Sequence, residues 1–128
     1  EDYRVMLYKV FMVKIANDIC KIHGNCYLTM GSALGQVASQ TPENLVVTDM
    51  VSEVPVYNPL FTWNKETIVD HARKVGTYKY SICNGNDCCV TYLPSRPILK
   101  ADISYINKII DEIDYNEFIT VDVVQFKL

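Results

Sequence analysis

Three of the five cysteines fall in one short stretch, Cys83-Asn84-Gly85-Asn86-Asp87-Cys88-Cys89, and thiols this close along a chain can form a redox-sensitive bond or share a metal ion. Asn84-Gly85 is a signal for a tight hairpin turn, because both residues tolerate the positive φ such turns need. The flanking residues, Tyr78 to Cys83 and Cys88 to Tyr92, are β-prone. In a hairpin over residues 78–93, period-two alternation turns Cys89 inward as a small hydrophobe and Cys83 and Cys88 outward as the accessible pair. A second group, Cys20, His23 and Cys26, lies at the end of the first apolar segment. A zinc site would draw on Cys20, Cys26, Cys83 and Cys88. The spacings Cys-x5-Cys and Cys-x4-Cys-Cys miss the Cys-x2-Cys knuckle of ordinary structural zinc, so no metal or other cofactor is expected.

Gly24-Asn25-Cys26-Tyr27 resembles the Asn-Cys-Tyr surroundings of the nucleophile in viral papain-like cysteine proteases. In that family the thiolate sits at a helix start and is activated by the dipole and a histidine. The resemblance implies a helix over residues 28–37 behind Cys26 and a base at His71. It departs from the family in placing that histidine inside a helical pattern. Two other groups look built for contact rather than catalysis. Tyr57, Phe61 and Trp63 stand close together on a proline loop. Asp111, Glu112 and Asp114 crowd the end of a helix, where the dipole is already negative and a cationic partner would be welcome.

The elements that must position these residues follow from periodicity. Apolar residues Val5, Tyr8, Met12, Ile15, Ile19 and Ile22 recur at spacings of three and four, predicting a buried first helix over residues 3–23, with Asp2 as its cap and Gly24 as its stop. A strand over the first half is the rival reading, since Val, Tyr and Phe also suit a sheet. The small-residue stretch from Gly31 to Ser39 reads as a short helix. Thr41-Pro42-Glu43 starts another, to about residue 53, although Val46, Val47 and Val51 also suit a strand. Pro55, Asn58 and Pro59 make a loop. Asn64 caps a helix over residues 65–75 that stops at Gly76, and Asp102 caps one carrying Ile103, Ile106, Ile110 and Ile113. The closing run, residues 118–128, is apolar on both faces and reads as an interior strand.

With 128 residues, 49% of them hydrophobic, the chain suffices for one core. The expectation is a single α+β domain over residues 1–128, cut from something larger, with a mainly antiparallel sheet holding the 78–93 hairpin and the terminal strand, packed with amphipathic helices. The 12 Lys and Arg are outnumbered by 15 Asp and Glu and read as scattered, so nucleic acid is not expected as a partner. No segment has the length and apolarity of a membrane span. An odd number of cysteines and no glycosylation sequon lean towards a reducing cytoplasmic setting. The favoured function is a non-catalytic protein-binding or assembly module of viral type, acting through Tyr57, Phe61, Trp63 and the acidic corner. The alternatives are a cysteine hydrolase using Cys26 and His71, and a thiol redox or zinc module.

Overall fold

A 20-residue helix, α1 (Arg4–His23), opens the chain. The computed structural model describes residues 1–24, 26–83, 85 and 93–114. Lys21 and His23 occupy the last turn of α1, where cations complement the dipole. Gly24 ends the helix at φ 66°, its N–H donating to the Cys20 carbonyl at 2.8 Å. Asp2 is not the cap; Tyr3 holds that position without a side-chain bond.

The buried seam of α1 is Met6, Val10, Val13, Asn17 and Cys20, at spacings of four and three. This is one position round from the predicted stripe, whose Met12 and Ile22 are 57% and 80% exposed. Asn17 decides the face. Its amide donates to the Val51 carbonyl at 3.2 Å and its Oδ1 accepts from the Glu53 N–H at 3.2 Å, so a polar residue is satisfied inside and ties α1 to the end of the next helix.

That helix is α2 (Pro42–Val51), capped by the Thr41 hydroxyl, which accepts from the Asn44 N–H at 3.3 Å; proline at its first position and Glu43 complete the start signal. The β-branched residues did not prevail, because cap, proline and the packing of Leu45 and Val47 agree on a helix. Strand β1 (Leu28–Thr29) pairs in parallel with β2 (Val56–Tyr57), Leu28 opposite Val56 and Thr29 opposite Tyr57. The pairing runs on through Leu28 N–H to Pro55 O and Met30 N–H to Tyr57 O, both 2.9 Å. A short 3-10 turn (Ala38–Gln40) precedes α2, so the helix expected over residues 28–37 is instead a strand followed by a looped segment.

Helix α3 (Lys65–Val75) is capped by Asn64, whose Oδ1 accepts from the Thr67 N–H at 2.8 Å, and stops at Gly76 in the left-handed conformation, φ 81°. The reversal at Gly76 leads into α4 (Tyr78–Ser81). Here the predicted hairpin fails: residues 78–81 are helical, with the Ile82 N–H bonded to the Tyr78 carbonyl at 3.2 Å. Tyr78 lies under the Arg73 guanidinium, 4.8 Å from its ring centre, a contact with α3 that an outgoing strand would forgo. Cys88, Cys89, the returning half of the hairpin and the terminal strand lie outside the described residues.

Helix α5 (Ile103–Glu112) follows the proline loop, with Asp102 accepting from the Ser104 N–H at 2.8 Å. Met6 and Val10 of α1, Val47 of α2, Ala101 and Ile106 form one core, with Ile98, Ile103 and Ile110 packed against it. Among the described residues the fold is helical with one two-stranded parallel sheet, which corrects the expected antiparallel sheet.

Candidate functional site

Between the segment from Gly31 to Gln40 and the start of α3 lies a cleft of about 370 Å³, lined by Gly31, Ala33, Gln36, Val37, Gln40, Lys65, Ile68 and Val69. The segment that forms one wall is held by hydrogen bonds. Gly35, at φ 73°, allows the chain to turn so that its N–H reaches the Gln40 carbonyl at 2.9 Å. Leu34 N–H reaches the Phe61 carbonyl at 2.9 Å, tying the same segment to the aromatic loop. From α1, the Lys9 ammonium donates to the Ser39 carbonyl at 3.5 Å. From α2, the Asn44 amide donates to the Ala38 carbonyl at 2.7 Å.

Within this braced frame the Oε1 of Gln40 is buried and has no hydrogen-bond partner. A buried polar atom left unmatched costs about 1–3 kcal/mol unless something binds it, so it marks a place where a ligand could supply the missing bond. A carboxamide presents an acceptor and donors in one plane, the pattern that reads the edge of a heterocyclic base. Lys65 adds a cation to the same cleft. Among the described residues, the Oδ1 of Asn58, in the aromatic loop, is the other such unmatched atom.

Residues singled out from sequence fall elsewhere. Cys26 sits in the loop after α1, its thiol donating to the Gly24 carbonyl at 3.3 Å, and the segment behind it is β1 rather than the dipole-bearing helix that a nucleophile would use. His71 packs edge-on against Trp63, ring centres 5.2 Å apart. Cys20 is buried, and that burial, helped by a hydrogen bond with Cys26, pushes its thiol pKa up, away from thiolate character. Cys83 is exposed, its thiol donating to the Lys79 carbonyl at 3.1 Å. Among the described residues no three His, Cys, Asp or Glu side chains gather into a metal-binding group. Tyr57 and Phe61 are exposed, and Asp111, Glu112 and Asp114 are exposed at the end of α5. Sequence reasoning missed Gln36, Gln40 and Lys65. The available signal was the pair Gly31 and Gly35 in a stretch of small residues ahead of a strong helix start, with two glutamines inside it.

Residues 1–115 match the family described as ThiI, thiamine biosynthesis protein. A probable tRNA sulfurtransferase of Thermus thermophilus is 41% identical over 104 residues, covering 81% of this chain and 26% of the relative. Another, of Thermococcus kodakarensis, is 38% identical over 109 residues, 85% of this chain and 28% of the relative. One of Clostridium acetobutylicum is 35% identical over 132 residues, covering 99% of this chain and 34% of the relative. The crystal structure of a 4-thiouridine synthetase–RNA complex with bound ATP superposes with a TM-score of 0.81 at 33% identity, over 92% of this chain and 31% of that one. The chain thus spans about a quarter to a third of the length of these relatives. These matches overturn the expected non-catalytic viral interaction module, its hydrolase alternative and the exclusion of nucleic acid. Among the described residues no helix is long and apolar enough to cross a membrane.

Proposed function

This chain belongs to the ThiI family, and from that premise we propose that it forms part of an ATP-dependent tRNA sulfurtransferase, with the Gly31–Gln40 cleft as part of the nucleotide site. The observation that carries this reading is the buried, unmatched Oε1 of Gln40 beside a braced cleft of ligand size. In it, the Gln40 amide meets the edge of the adenine base, Gly31 leaves room for close approach, and the Lys65 ammonium meets phosphate oxygens. Lys9 and Asn44 hold the turn that carries Gln40.

Putting sulfur in place of a uridine carbonyl oxygen breaks a C–O bond and forms a C–S bond. ATP is suited to this because it converts the oxygen into a leaving group. The residues of the cleft bind and orient; the sulfur-bearing group is not assigned to any described thiol. A cytoplasmic setting, where thiols stay reduced, fits this chemistry.

The test is ATP binding by equilibrium dialysis, paired with mass spectrometry of tRNA for exchange of one oxygen by sulfur. Gln40→Ala is expected to weaken ATP binding about ten-fold or more, the loss of a buried hydrogen bond to ligand. Unchanged ATP affinity in Gln40→Ala would remove the cleft from the nucleotide site.

A further inference from the structure

One surface unit of this chain joins a local excess of cations to an exposed aromatic ring. From residue 65 to residue 79, Lys65, Arg73, Lys74 and Lys79 face only Glu66 and Asp70, a local excess of cations in a chain whose formal net charge is −3. The unit is α3 with α4, joined by the left-handed turn at Gly76. Helix α3 has no buried residue, so the side chains that carry the charge stand on its surface.

Two of these cations are paired with aromatic rings. The Arg73 guanidinium lies 4.8 Å from the centre of Tyr78, and the Lys79 ammonium 4.9 Å from that of Tyr80, which is 69% exposed. Lys74 and Lys79 have no carboxylate partner among the described residues, whereas Arg73 is held by Asp70 at 3.0 Å. Glu66 and Asp70 line a depression on α3 together with Lys65, Val69 and Arg73, and beyond Arg73 the sequence of the unit carries Lys74 and Lys79 and no carboxylate. Lys65 borders both this depression and the candidate cleft, so the depression adjoins the site and the cations from Arg73 onward lie on its far side.

Cations interleaved with exposed rings are what an unpaired RNA strand recognises: phosphates are neutralised while a base stacks on a ring. We propose that Arg73, Lys74 and Lys79 hold the phosphates of an unpaired RNA segment and that Tyr80 stacks one of its bases. This rests on the reading of the chain as part of an RNA-modifying enzyme and adds where the strand runs beyond the cleft. Arg73 exchanges Asp70 for phosphate on binding.

The experiment measures tRNA binding by the protein that carries this chain across a salt series, with ATP binding measured in parallel. The triple substitution Arg73→Ala, Lys74→Ala, Lys79→Ala is expected to weaken tRNA binding at least about ten-fold near 0.1 M salt and to reduce the slope of log affinity against log salt by about 2. Tyr80→Ala is expected to weaken binding about ten-fold with the slope unchanged, and Tyr80→Phe to restore it. ATP affinity should stay unchanged in every variant, which also reports that they fold. Lys108→Ala, which removes an exposed cation on α5, should leave both the affinity and the slope of the parent unchanged. A triple variant with the affinity and slope of a parent that binds tRNA overturns this placement alone. A parent that binds ATP but no tRNA sinks both this inference and the RNA part of the function it rests on.

Discussion

Asn44 is wholly buried, and its carboxamide is matched at every turn. It donates to the carbonyls of Ala38 at 2.7 Å and Ile98 at 2.9 Å and accepts from the Ala101 N–H at 2.8 Å. One side chain thus fastens the turn before α2 to the loop before α5. Asn44→Ala would remove the side-chain partner of three backbone groups, the Ala101 N–H buried and the Ala38 and Ile98 carbonyls part-buried, and an expected loss of about 3 kcal/mol follows, read from the denaturant midpoint. Asn44→Asp keeps the acceptor for Ala101 but places a carboxylate against two carbonyls, so it should rescue little. Since the Ala38 carbonyl is one residue from the turn's buried Ser39 and two from Gln40, the variant should also weaken ATP binding while folded. At this scale the site was poorly legible in the sequence. Nothing in the residue types of Gln36 and Gln40 distinguishes them from surface glutamines. The buried Oε1 of Gln40 becomes visible only in the folded turn, which Gly35, Lys9 and Asn44 help to hold.

At the scale of elements, the start and stop signals were the most legible feature. Thr41, Asn64 and Asp102 all cap as their types predict, and Gly24 and Gly76 end their helices at positive φ. Which face turns inward was less legible. In α1 the seam includes Asn17 and Cys20, and a hydrophobic count passes over a polar residue whose partners lie 34 to 36 positions away. Residues 78–81 carry β-prone tyrosines, yet the stack of Arg73 on Tyr78 and the turn at Gly76 make a helix there. Helix α3 contributes nothing to the core, so its cap should act locally. Asn64→Ala is expected to cost about 1 kcal/mol in that helix alone. Amide exchange should speed up about five-fold within residues 65–75 and stay unchanged at Val10 and Val13 of α1. Uniform acceleration across both helices would mean that α3 unfolds only with the whole molecule.

At the scale of the molecule, α1, α2 and α5 meet at Met6, Val10, Val47 and Ile106, and of the isoleucine stripe expected on α5, Ile103, Ile106 and Ile110 join this core while Ile113 stays exposed. The sheet was not foreseen. Strands of two residues are too short to display a period of two, and the Pro55 to Pro59 stretch that reads as a plain loop contains one of them. The charge pattern was legible in principle, since the four cations of α3 and α4 lie within 15 positions, but whole-chain net charge concealed it. Expectations built on residues 84, 86–92 and 115–128 lie outside the described structure.

The parallel register of Leu28 with Val56 also sets the timing of assembly. No tight reversal can join parallel neighbours, so the whole intervening chain, including α2 and the Gln40 turn, must be gathered before the first rung closes. Contacts this far apart in sequence form slowly, while α1 can wind from local bonds. In a pulse-labelled refolding experiment the Val10 and Val13 amides should gain protection ahead of Leu28 and Met30, and simultaneous protection would contradict that order. The cleft proposed to read the base would then be among the last parts of the newborn chain to mature, complete only after the scaffold around it has set.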